Sequence, residues 1–129
     1  MKQIRIMSER KSTMKDKSFA FAIRIINLYK YLSKSKKEFV VSNQLLRSGT
    51  AVGALIREAQ NAESAKDFIH KLSIAQKECD ESLYWLELLI ATDFLTSTEF
   101  ESINKEGTEL LKMLRSAIVT SKRNAPHNL

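Results

Sequence analysis

The sequence predicts an all-α protein, an antiparallel up-down-up-down four-helix bundle in one domain, and three observations carry that prediction. Apolar residues recur at steps of three and four over four separate stretches. Three glycines and one proline in 129 residues leave little material for an all-β fold, which needs a turn about every 8–12 residues. Two segments, Ser64 to Asp67 and Thr96 to Glu99, have the form of a capping box, and each stands just before an apolar period.

Residues 1–16 mix Ser, Thr, Lys and Arg without a long apolar period and are expected to be a flexible basic lead-in. The bundle domain is expected over 17–123, with 124–129 as a tail. The first helix is predicted from about Asp16 or Lys17 to Ser35 and carries two apolar stripes. Phe19, Ala22, Ile23, Ile26 and Tyr29 form one; Phe21, Ile25, Leu28 and Leu32 form the other. Together they are wider than one neighbouring helix can cover. The second helix is predicted over 43–61 with Ser42 as its N-cap and Leu45, Val52, Ile56 and Ala59 inward. Gly49 and Gly53 inside it each cost about 1 kcal/mol relative to Ala, so close approach of another helix is expected there.

The third helix is predicted over 65–92. Phe68, Leu72, Ala75, Cys79, Ser82, Leu86 and Leu89 step by four and three along it, the spacing of a bundle seam. The fourth is predicted over 98–122 on Phe100, Ile103, Gly107, Leu110, Leu114 and Ala117, with Pro126 as a stop beyond it. Short connections make neighbouring helices antiparallel.

Several functions find no support. Lone Cys79 excludes an internal disulfide and reads as a small buried hydrophobe. No signal peptide or membrane-length apolar run is evident, so a cytoplasmic protein is expected. A di-iron bundle needs two Glu-x-x-His pairs, whereas this chain has one approximate match, Asp67 with His70. His70 is therefore expected on the surface, and no metal or cofactor is expected. No Ser or Cys comes with a plausible His base, and no catalytic residue is assigned. Glu78, Asp80 and Glu81 suit a solvated or inter-subunit ion-pair network better than acid–base chemistry. Gly49-x-x-x-Gly53 lies inside a helical pattern and lacks a Walker lysine, so it is not a nucleotide loop. Trp85 points a third of a turn from the seam, and with Tyr84 it is either a flank of the core or an anchor for a partner subunit.

The net charge of +6 belongs to the ends. Residues 1–17 carry a net +4 and residues 112–129 another +4, while the body between them is −2. The candidate phosphate-binding residues are Arg115, Lys122 and Arg123, assisted by Lys2, Arg5, Arg10 and Lys11; solubilising ends would have the same composition.

The run from Gln44 through Arg47-Ser48-Gly49, Gly53-Ala54-Leu55-Ile56 and Glu58-Ala59-Gln60 resembles a family signature. So does Ser64-x-x-Asp67-Phe68 followed by Leu72, Lys77-Glu78 and Glu81-Ser82-Leu83-Tyr84-Trp85-Leu86. Both are similar to the four-helix-bundle proteins encoded in intervening sequences of bacterial 23S ribosomal RNA genes, long labelled S23-type ribosomal proteins. The likeness runs from about Lys17 to Lys122, with Leu55 and Arg57 departing from the usual Asn and Ala. The resemblance implies a ring-forming homo-oligomer, typically a pentamer, without enzymatic activity. A related branch serves diversity-generating retroelements by binding a reverse transcriptase and nucleic acid through a basic surface. The expected function is thus a non-catalytic oligomeric module that binds RNA or ribonucleoprotein, with a protein-interaction adaptor as the alternative.

Overall fold

A helix begins where something takes up the backbone amides that its first turn leaves unpaired. In this computed structural model, which describes residues 13–125, that requirement sets four starts. The helices are α1 Met14–Lys34, α2 Val40–Gln60, α3 Ala65–Ala91 and α4 Ser97–Asn124. Among the described residues there is no strand. Thr96 and Glu99 form the predicted capping box, and the Ser64 side chain accepts from the Asp67 amide.

Two starts differ from the sequence expectation. α1 begins at Met14 because Thr13 and Asp16 form a full capping box, which carries the helix into the end of the expected lead-in. α2 begins at Val40, so Ser42 is not its N-cap. The Glu38 carboxylate accepts from the amides of Val40, Val41 and Ser42 at 3.1, 3.0 and 2.7 Å, doing for three amides what a serine does for one. Ser42 is buried one turn in, where its hydroxyl donates to the Glu38 carbonyl. The turns manage with little glycine: Lys37 and Asp93 take the left-handed backbone instead, with φ of 56° and 67°.

Helices in contact are α1 with α2, α2 with α3, α3 with α4, and α1 with α4. The contacting residues run in opposite senses. Ile25 lies against Gly49 and Ser18 against Gly53; Arg47 meets Glu78 while Glu58 meets Lys71. Lys17 pairs with Glu109 and Arg24 with Glu106. This is the register of an antiparallel bundle whose α1 closes on α4.

The α3 seam from Leu72 to Leu89 is buried as its period predicts, joined by Ile103, Leu110 and Leu114 of α4 and Leu45, Val52 and Ile56 of α2. Within it the Ser82 hydroxyl meets that of Ser48 at 2.9 Å, and the Cys79 thiol donates to the Gly107 carbonyl at 3.4 Å. On α1 the stripe of Phe21, Ile25 and Leu32 faces the core, whereas Phe19, Ile23 and Ile26 stand in solvent. α1 has neighbours on two sides only, so it can bury one stripe and leaves the other.

Candidate functional site

The last three turns of α4 gather the described part of the predicted basic site. Lys112, Arg115, Val119 and Lys122 follow one another at steps of three, four and three, so they share a face, with Arg123 beside them. All five are exposed, and no acidic residue occurs from 112 to 125. Lys122 and Arg123 occupy the final turn, where the carbonyl end of the helix dipole favours cations. Arg115 stands on the side of α4 near α3, close enough for its charge to oppose, in small part, the rise in the Cys79 thiol.

Lys2, Arg5, Arg10 and Lys11 lie outside the described residues. Their point of attachment does not: α1 starts at the end of the bundle where α4 finishes, because α1 and α4 are antiparallel. Both basic stretches of the sequence thus join the bundle at the same end.

Tyr84 and Trp85 part company. Tyr84 is 51% exposed and points away from the core. Trp85 is half-buried against the core, and its Nε1 donates to Glu81 at 3.0 Å. The rings remain in contact, with centroids 5.1 Å apart and planes tilted by 58°. Arg47 of α2 reaches both Glu81 and Glu78, the latter at 2.8 Å. Glu78 and Glu81 of the acidic cluster are therefore tied up within the chain across α2 and α3, and Glu81 props Trp85, while Asp80 stands exposed outside the link. Arg47 was invisible as a partner from sequence because it sits 31 and 34 residues from the two acids.

Burial pushes the Cys79 thiol up to about 12, with Asp80 adding to the rise, so it stays protonated and unreactive at neutral pH. His70 is on the surface, as expected. Among the described residues no group of three or more His, Cys, Asp or Glu is placed to hold a metal ion. Nor is any helix among the described residues long and apolar enough to cross a membrane. An open groove of about 680 Å3 lies between α1, α2 and the start of α3. It is lined by the small residues Ser18, Ala22, Gly53 and Ala54 and by charges of both signs, Lys15, Arg57 and Lys71 with Glu58, Glu63 and Asp67.

Residues 10–116 match the model of the 23S rRNA-intervening sequence protein family, a span that reaches into all four helices. The chain belongs to this family. A solved structure from Bacteroides thetaiotaomicron VPI-5482, described as a protein of unknown function from the S23 ribosomal protein family, has 57% sequence identity and a TM-score of 0.82. The match covers 82% of this chain and 98% of that one. No curated protein matches. Within this intervening-sequence protein the basic face straddles the family boundary. Lys112 and Arg115 lie inside the matched span, Lys122 and Arg123 beyond it.

Proposed function

We propose that this intervening-sequence protein works without chemistry of its own, as a homo-oligomeric helical module that binds RNA or ribonucleoprotein through its basic ends. The observation that carries the reading is the exposed cationic face of α4, Lys112, Arg115, Lys122 and Arg123, placed at the end of the bundle where the basic N-terminal stretch is attached. Five subunits are the number the family resemblance suggests, and a ring would gather these faces from every copy on one rim. Local charge density of this kind attracts phosphate, and Val119, the lone exposed apolar residue of the face, offers no aromatic ring for base stacking. Binding is expected to be sequence-tolerant and strongly salt-dependent.

The triple variant Arg115→Gln, Lys122→Gln, Arg123→Gln tests the reading. Each lost phosphate contact removes about 0.7 from the salt slope on single-stranded RNA, so the slope is expected to flatten by about 2 for each chain engaged. Sedimentation of the variant should match that of the parent. RNA binding with an unchanged slope, or none by the parent at low salt, rejects the reading.

A second reading has one observation in its favour: apolar side chains stand in solvent on α1 and at Tyr84. On that reading the module is an adaptor for a protein such as a reverse transcriptase, and its charge only steers the encounter. Parent binding to RNA that is lost in physiological salt while a protein partner stays bound would favour it.

A further inference from the structure

The exposed stripe of α1 has a regular build. Lys15, Phe19, Ile23, Ile26 and Lys30 follow at steps of four, four, three and four, so an apolar strip is closed by a lysine at either end. Phe19 is 61% exposed and Ile23 46%, large values for side chains on an ordered helix. The outer face of α3 has the opposite charges around its own apolar residue. Asp80 lies four residues before Tyr84 and Glu87 three after it, and all three are exposed. Lys77 stands a turn beyond Asp80, outside the span of Tyr84 and the two acids. Lys15, Lys30, Asp80 and Glu87 enter none of the ion pairs found among the described residues.

These faces point away from each other, since α1 and α3 are the diagonal pair of the bundle and their backbones do not approach closely. The charge of the whole chain divides the same way. Residues 14–60, which form α1 and α2, hold nine basic and three acidic side chains, a net of +6. Residues 61–125, which form α3 and α4, hold eight basic and eleven acidic ones, a net of −3. Like faces would repel, and unlike faces would attract.

We propose that the α1 stripe of one copy docks on the Tyr84 face of α3 of the next, a head-to-tail contact between two different surfaces of the same chain. The proposal rests on the oligomeric reading above and names the two faces that meet. From Lys15 to Lys30 the stripe runs about 24 Å, comparable with the edge of a square patch of ~800 Å2, the usual share of one partner. Contacts of this kind close into a ring when the rotation between copies permits, whereas an isologous contact stops at two.

A mixing experiment with two variants tests it, with circular dichroism to check that both remain helical. Ile23→Asp spoils the α1 face and leaves α3 intact; Tyr84→Asp does the reverse. Each alone is expected to sediment as a monomer. Mixed in equal amounts, well above the concentration at which the parent assembles, they should form a one-to-one dimer through the single pair of intact faces. A monomeric parent would sink the oligomer itself. An assembled parent unaffected by Ile23→Asp, dissociation by Ile23→Asp alone with Tyr84→Asp still assembled, or a mixture that stays monomeric would overturn only this pairing of faces.

Discussion

Glu38 performs at the start of α2 the task the sequence assigns to Ser42. Burial works to raise its carboxyl, but hydrogen bonds from Ser42, Val41 and Val40 outweigh that and hold it below the usual carboxylate range. A depressed folded pKa contributes stability above the unfolded value, about 4.3, and that contribution is lost as pH falls through the folded value. Glu38→Gln is therefore expected to lower the melting temperature at neutral pH by the equivalent of about 0.5 kcal/mol, an ordinary charge–dipole contribution. The gap to the parent should close in acid, and a gap that widens below pH ~4 would contradict the assignment. Sequence reasoning missed this cap because a serine at the right offset satisfies the usual rule, and a longer carboxylate two residues outside the helix does not. The two capping residues it did find, Ser64 and Thr96, each precede an acid by three and have no such competitor.

At the scale of elements, the periods of α2, α3 and α4 pointed to the correct buried faces because each had one dominant stripe. α1 had two of similar apolar content, and only its neighbours decide which is inside. The glycine pair of α2 was legible as a close approach, though not the difference between its members. A Cβ at Gly49 would lie 2.8 Å from both branched carbons of Ile25, which cannot swing away; at Gly53 it would lie 3.3 Å from the small Ser18 hydroxyl. Overpacking costs about 1–3 kcal/mol, against about 1 kcal/mol gained in helix propensity. Gly49→Ala is thus expected to destabilise by up to about 2 kcal/mol, and Gly53→Ala to be neutral within about 0.5 kcal/mol. Urea denaturation that ranks the two variants equally would refute this account of the α1–α2 crossing.

Taken whole, the molecule had its architecture written in short connections and four apolar periods, whereas its surface chemistry depended on which helices become neighbours. The segregation of charge between the two helical hairpins is invisible to a reading by ends and body, since it follows the pairing of α1 with α2 and α3 with α4. The Arg47 link to Glu78 and Glu81 is hidden for the same reason. That pairing also governs how fast the chain can reach its native state. Three of the four interhelical contacts join helices that follow each other along the chain, and the closure of α1 on α4, which brings Lys17 to Glu109, is the one contact that must wait for a long loop to close. Bundles dominated by such local contacts refold within microseconds to milliseconds. Stopped-flow refolding of the dilute, dissociated chain is expected to be complete in that range and single-exponential, with any slower, concentration-dependent phase reporting the meeting of copies rather than the making of the bundle.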